Sequence, residues 1–189
     1  ITRMNELGIL VDLSHCGRRT TADAIASSTM PVSFTHTGCA ALEDHPRHRT
    51  DEELRRVAEG GGVTGIYVMP YLAGGRQPTA ADVVAHIEHA VDVAGEDHVG
   101  IGTDGYVSPT VLTDEYRAKF AENIRERRES GIAAPGETEE GYLFASELNT
   151  PRRLETLAGL LLERGHSETR VEKILGGNFE RLFDTVWAE

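Results

Sequence analysis

Four short apolar runs recur along the sequence at intervals of roughly 20 to 35 residues, and a helix-like pattern follows each of them. The runs are apolar almost throughout instead of alternating with polar residues, which is typical of strands buried on both faces of a sheet. Strands that alternate with helices in this way form parallel sheets with right-handed helical crossovers. We therefore predict an α/β fold. The expected strands are residues 9–15, 32–36, 63–69 and 98–103.

Helix-start and helix-stop residues flank the segments between and after these runs. Thr79 and Asp82 form a capping-box pattern before an apolar periodic segment that ends at Gly95. The periodicity weakens over residues 106–141, where the charged residues 125–129 indicate a solvated helix face. The expected helices are residues 2–7, residues 22–27 capped by Thr20 or Thr21, residues 51–58, residues 80–95, residues 151–165 capped by Thr150 with Pro151 first, and a last helix opened by Ser167.

Composition excludes several classes of protein. The chain has 31 acidic and 19 basic residues, giving a formal net charge of −12, so nucleic acid is not an expected partner. Cys16 and Cys39 are too few for a disulfide framework.

The sequence has no G-x-S-x-G, G-x-x-x-x-G-K or H-E-x-x-H motif, and Gly100-x-Gly102 lacks the third glycine of a dinucleotide-binding fingerprint.

The start of the sequence bears on localisation. It begins at Ile1 inside a helix-like pattern that ends at Gly8, so we expect these residues to be the later part of a longer protein. No apolar run approaches the roughly 20 residues that span a bilayer, and no charged-then-apolar leader opens the sequence. We expect a soluble segment, with the cytoplasm as the favoured compartment and any targeting signal upstream.

Polar side chains end three of the four predicted strands. His15 ends the first, His36 ends the second and Asp104 follows the fourth. Because the carboxyl ends of parallel strands meet at one edge of a sheet or barrel, we expect these three groups to converge. Imidazole and carboxylate together suit zinc. The alternative is that each histidine forms an ordinary hydrogen bond to backbone at a strand end.

Other residues are weaker candidates. Arg47 and Arg49 lie in the loop after the second strand, at the same edge, where an arginine could bind a substrate carboxylate through two parallel hydrogen bonds; the alternative is an ordinary surface arginine. His86 and His89 are three residues apart on a predicted helix, but no acidic third ligand accompanies them. Cys16, beside His15, could bind a metal as a thiolate, but packing in apolar surroundings is the more common role of a buried cysteine.

The strand-end residues lie within longer stretches that are similar to a known family. These stretches are residues 7–15, 31–37, 98–104 and 176–183. On them the sequence resembles the membrane (renal) dipeptidase family, the M19 metallopeptidases of the amidohydrolase-like metal-dependent barrels. The resemblance runs in order along nearly all 189 residues and is weakest over residues 106–141.

This resemblance implies a (β/α)8 TIM barrel with a two-zinc centre that hydrolyses dipeptides. Residues 1–189 would then be the C-terminal half of one barrel domain, strands five to eight, with the C-terminal helices. By position, His15 and His36 look like the two histidines that bind one zinc ion, and Arg47 like the arginine that binds the substrate carboxylate. Asp104 matches the aspartate that binds the amino group and assists proton transfer. The family also implies a homodimer.

Two departures from the family pattern limit this interpretation. The family takes the rest of its centre, an H-x-D motif and a bridging glutamate, from the first half of the barrel, and no H-x-D occurs here. We therefore expect the 189-residue chain to be inactive by itself. Asp104-Gly105-Tyr106 also stands where the family often has D-F-D-G. The alternatives are a related amidohydrolase acting on an N-acyl amino acid or small peptide product, and a non-catalytic barrel used for binding.

Overall fold

A four-stranded parallel sheet forms the centre of the protein. The computed structural model describes residues 1–105 and 108–187, and in it the strands lie in chain order. Val11 pairs with Val32, Ser33 with Val63, and Thr64 with Val99. The predicted α/β class with a parallel sheet is confirmed, although every strand except the second is shorter than predicted. The strands are β1 (Val11–Asp12), β2 (Val32–Thr37), β3 (Val63–Ile66) and β4 (Val99–Ile101).

One helix precedes the first strand, and the others connect the strands or follow the last of them. They are α1 (Thr2–Glu6), α2 (Arg18–Ser27), α3 (Asp51–Glu59), α4 (Ala80–Ala94), α5 (Asp114–Glu129), α6 (Arg153–Glu163), α7 (Glu168–Glu172) and α8 (Asn178–Trp187). The capping box predicted at Thr79 is present, and Ser167 caps α7 as predicted. Within the described ranges, no helix is both long and apolar enough to cross a membrane.

Two predicted helix starts are wrong. α2 begins at Arg18 with Gly17 at its N-cap, so Thr20 and Thr21 lie inside the helix. Buried Thr21 instead accepts a hydrogen bond from the Arg49 guanidinium, so a long-range partner overrides its local capping tendency.

α6 also starts later than its sequence signals suggest. Thr150 Oγ1 accepts a hydrogen bond from the backbone N–H of Arg152, which makes a tight turn through Pro151, and the helix begins only at Arg153.

The hydrophobic core lies mainly between the sheet and the helices α2, α3, α4 and α6. Phe34, Tyr67 and Leu161 are among its largest fully buried side chains. A second cluster packs α8 against the start of β3 through Val63, Leu182 and Val186. α5 buries little, which confirms the predicted solvated face at residues 125–129.

Candidate metal and substrate site

The structure brings the four predicted site residues together at the carboxyl-terminal edge of the sheet. The Nε2 atoms of His15 and His36 are 2.9 Å apart. His36 Nε2 lies 3.9 Å from an Asp104 carboxylate oxygen, and an Arg47 guanidinium nitrogen lies 3.2 Å from His15 Nε2. Parallel strands place these groups at one edge because each strand ends in the same direction.

A hydrogen-bond chain behind His36 sets the orientation of its ring. The Asp12 carboxylate accepts from the Thr35 hydroxyl at 2.7 Å, and that hydroxyl lies 2.8 Å from His36 Nδ1. Because the hydroxyl donates its single proton to Asp12, Nδ1 must carry the proton that it shares with Thr35. The Nε2 lone pair of His36 is then free to bind a metal, an arrangement common behind histidine ligands.

The same carboxylate organises the turn after β1. Asp12 accepts from both the backbone N–H and the hydroxyl of Ser14, at 3.0 and 2.6 Å, and the Ser14 hydroxyl accepts from the backbone N–H of His36. Burial opposes ionisation of Asp12, but the hydrogen bonds from Ser14 and Thr35 outweigh it, so its pKa lies below the usual value. The ends of β1 and β2 are therefore joined by an ionised carboxylate.

His36 is held in the neutral state that metal binding requires. Burial is the largest effect on its pKa and lowers it, and nearby His15 and Arg47 lower it further. Asp104 and Asp12 oppose this effect without cancelling it, so the net pKa lies below the ordinary value of 6.5. A neutral imidazole is the form that binds a metal ion.

Close strand packing and an unusual backbone conformation place Asp104. A Cβ atom at Gly102 would overlap the carbonyl oxygen of Thr35, so only glycine allows β4 to approach this closely. Asp104 then adopts a left-handed conformation with φ of 51°. Aspartate tolerates this region better than most residues, and such conformations are frequent at functional sites. Tyr106, which completes the departure from D-F-D-G, lies outside the described residues.

The structure distinguishes the two candidate arginines. Arg49 is 2% exposed and donates to the carbonyl oxygens of Leu13, Ser14 and Cys16, so its guanidinium holds the turn that carries His15. Arg47 instead lines an open cleft beside Asp104. Its Nε is buried without a hydrogen-bond partner among the residues described. Of the two guanidinium groups, that of Arg47 is the one placed to meet a ligand.

The two helix histidines do not form a site together. His86 Nδ1 accepts from the backbone N–H of Cys39 at 2.9 Å, while His89 Nε2 lies 2.8 Å from an Asp51 carboxylate oxygen. Burial is the main cause that lowers the pKa of His86 to about 4.

Over residues 1–105 and 108–187, no group of three or more His, Cys, Asp or Glu side chains is arranged to hold a metal ion.

Comparison with known proteins identifies the family. The family model described as "Membrane dipeptidase (Peptidase family M19)" matches residues 1–119, which include His15, His36, Arg47 and Asp104. The chain belongs to the membrane dipeptidase family. One relative in this comparison, Dipeptidase verJ of Clonostachys rogersoniana, is 30% identical over 98% of the chain and 39% of that protein.

Solved structures share the fold of the chain. An amidohydrolase from Pseudomonas aeruginosa matches with a TM-score of 0.77 and 31% identity, over 100% of this chain and 55% of its own. A metallo peptidase from Rhodobacter sphaeroides, liganded with a phosphinate mimic of the dipeptide L-Ala-D-Ala, shares the fold with a TM-score of 0.73 at 21% identity. This match covers 98% of the chain and 45% of that structure. The chain thus spans about two to three fifths of these relatives.

Sequence reasoning missed the residues that support the site. The sequence predicts Asp12 and Thr35 only as strand residues, although the pattern Asp12-x-Ser14 beside Thr35-His36 places polar groups on adjacent strands. Tyr67, which follows β3 at the same edge, belongs to a predicted apolar run. Its hydroxyl is buried and has no hydrogen-bond partner in the described part of the chain. The one sequence signal that could have indicated these supporting residues is a polar side chain within an otherwise apolar strand.

Proposed function

We propose that this chain supplies two metal ligands and both charged substrate anchors of a zinc-dependent dipeptidase. The observation that carries the proposal is the convergence of His15, His36, Arg47 and Asp104 through contacts of 2.9 to 3.9 Å. Membership of the membrane dipeptidase family supports hydrolysis of peptide bonds as the reaction class.

The histidine pair fits one zinc ion, but only in part. The two Nε2 atoms lie 2.9 Å apart, close enough for both to bind one metal ion, and Thr35 contacts His36 Nδ1 on the opposite side of the ring. A catalytic zinc ion usually has three protein ligands, so the remaining ligands would come from residues outside this chain. We therefore propose that residues 1–189 are the C-terminal part of one (β/α)8 barrel domain, with β1 to β4 as strands five to eight. The edge strands β1 and β4 would pair with the other half.

The charged residues of this chain bind and orient the substrate. When bound, zinc supplies Lewis-acid activation of water and of the scissile carbonyl. Arg47 would bind the C-terminal carboxylate through two parallel hydrogen bonds. Asp104 would bind the free amino group, and its carboxylate would accept the proton released by the attacking water and pass it to the leaving amine. Opposite charges at the two ends of the substrate restrict its length to two residues.

The test is metal analysis of the complete protein together with cleavage of Gly-Leu in the presence and absence of a chelator. We expect bound zinc and chelator-sensitive cleavage. His36→Ala should lose zinc, and its activity should fall by more than about 100-fold. This loss is larger than that expected from removing a residue that only hydrogen-bonds to a metal ligand. His89→Ala is the matched control, since His89 contacts Asp51 on α3.

Two results would contradict parts of this proposal. Full zinc and full activity in His36→Ala would contradict the ligand assignment. A folded complete protein with neither zinc nor cleavage would contradict the dipeptidase proposal and favour a non-catalytic barrel used for binding. Inactivity of the 189-residue chain alone, a homodimer and a cytoplasmic location stay predictions.

Hydrolysis of an N-acyl amino acid is a second candidate, because a relative of known structure at 31% identity is named an amidohydrolase. Asp104 favours the dipeptide, since an acylated nitrogen offers no cation for the carboxylate to bind. Comparing Gly-Leu with N-acetyl-leucine decides between them. Faster cleavage of N-acetyl-leucine, with no loss in Asp104→Asn, would favour the second candidate.

A further inference from the structure

A cleft beside the site is closed on its far side by a separate part of the chain. The cleft has a volume of about 330 Å³ and opens next to Arg47 and Asp104. Its near side is completed by residues 69–71, which follow β3. Its far side consists of α5 and the loop after it, through Phe120, Ile124, Arg127, Glu137 and Leu143. We call this space the side-chain cleft.

The side-chain cleft has apolar residues on both sides, and the charged residues of its far side are paired with each other. Met69 on the near side faces the same space as Phe120, Ile124 and Leu143 on the far side. Glu137 is nearly buried, with 6% of its side chain exposed, but Arg127 donates two hydrogen bonds to it, at 2.7 and 2.9 Å. Because this ion pair neutralises itself, it brings no net charge to the far wall, and Phe120, Ile124 and Leu143 offer apolar contact to a ligand.

The far wall is also held in place. Phe120 packs on Tyr142, with ring centroids 5.1 Å apart, and Ile124 is 4% exposed. The Tyr71 hydroxyl donates to Glu137 at 3.0 Å, so the far wall is tied directly to the near side. A wall fixed before the ligand arrives costs less ordering on binding, which favours selection by shape.

The two sides of the cleft differ in their relation to the family. Arg47, Met69 and Asp104 lie inside the matched residues 1–119, whereas the far wall begins at Phe120. The near side thus carries the groups proposed for the shared reaction. The far side follows the residues that the family model matches, so it is a separate part of the chain from the groups proposed for the shared reaction.

We propose that the side-chain cleft binds a large apolar side chain of the substrate and sets the preference of the enzyme among dipeptides. This inference rests on the proposed dipeptidase function. A substrate held between Arg47 and Asp104 must place its side chains next to these residues, and the adjoining space is lined by Phe120, Ile124 and Leu143.

The test compares Phe-Gly and Gly-Phe with Gly-Gly as substrates of the complete, zinc-loaded protein. We expect a higher kcat/KM for at least one phenylalanine substrate than for Gly-Gly. The ratio of the kcat/KM for that phenylalanine substrate to the kcat/KM for Gly-Gly is the quantity to follow. Phe120→Ala should lower this ratio about tenfold, as expected from lost apolar contact in a pocket. Leu143→Trp should lower it by filling the cleft. Leu143 is 37% exposed, so this variant keeps the test valid if Phe120→Ala does not fold.

Tyr116→Ala is the matched control, because Tyr116 stacks on Phe120 from one turn earlier in α5 and does not line the cleft. Its substrate ratio should stay within twofold of the wild type. If the wild type cleaves dipeptides but both cleft variants leave both ratios unchanged, this inference is wrong and the proposed function stands. If the wild type cleaves none of the three dipeptides, the proposed function fails and the inference fails with it.

Discussion

The sheet edge and the segment from α5 to Leu143 meet at one cleft but are built differently. His15 and His36 lie at or just beyond strand ends, where strand pairing and the Asp12 to Thr35 hydrogen bond fix their directions. The α5 segment follows the sheet in sequence, and only Ile124 of the helix itself is buried. The comparison teaches that reactive groups are carried on the rigid sheet, while a separate segment shapes the space beside them.

The largest expected difference between the two regions is sensitivity to acid. Burial lowers the pKa of His48 to about 3 and that of His86 to about 4. The two rings contact each other, and His48 also contacts Tyr67, which follows β3. An unfolded histidine has a pKa near 6.5, so the unfolded state binds more protons below that pH. Stability present above pH 6.5 is therefore lost as the pH falls towards 4, on the order of 3 kcal/mol from His86 alone.

Thermal unfolding of the complete protein across this pH range measures the effect. His86→Gln, which keeps an acceptor for the Cys39 N–H, should flatten the pH dependence. An equally steep dependence in the variant would show that His86 is not the group responsible.

The next largest effect separates the two arginines of the sheet edge. Arg49→Met should lower the free energy of unfolding by about 3 kcal/mol, because it leaves three buried carbonyl oxygens without their donor. Arg47→Met should change stability by less than about 1 kcal/mol and instead raise KM for dipeptides. Urea unfolding and steady-state kinetics check the pair. If Arg49→Met raised KM and Arg47→Met lowered the free energy of unfolding, Arg49 would be the residue that binds the substrate carboxylate.

A smaller effect tests the hydrogen bonds behind His36, the proposed metal ligand. Thr35→Val removes the hydroxyl between Asp12 and His36 at nearly constant volume, and should lower zinc affinity or activity by roughly 10- to 100-fold. Zinc titration of the complete protein measures it. Thr35→Ser, which retains the hydroxyl, should recover most of the affinity. An unchanged zinc affinity in Thr35→Val would show that the hydrogen bonds from Asp12 through Thr35 to His36 do not contribute to zinc binding.

The smallest effect is expected on the surface of α5. Arg125 pairs with Glu139 at 2.7 Å, but both side chains are well exposed, so Arg125→Ala should cost less than about 0.5 kcal/mol. Urea unfolding checks this value. A loss above 1 kcal/mol would mean that surface charge, more than Ile124 and the Arg127 to Glu137 pair, holds the far wall of the cleft.

Much of the fold could be predicted because it depends on local patterns. Apolar runs gave all four strands, and capping residues gave the start of α4 and of α7. The wrong starts of α2 and α6 have different causes. Thr21 contacts Arg49, which is 28 residues away, and local propensity cannot account for such a partner. Thr150 accepts from the N–H of Arg152 two residues on, so a local turn replaces the predicted cap.

The sequence alone determined the parallel sheet and the edge at which its polar residues gather, since strand direction follows from the alternation of strand and helix. Only the tertiary structure decided which arginine faces the cleft. Arg47 and Arg49 lie two residues apart in one loop, and what separates them is the buried carbonyl oxygens contributed by a distant turn. The tertiary structure also decided that α5 lies against the site. A helix with so few buried residues has no clear apolar stripe from which its packing partner could be predicted.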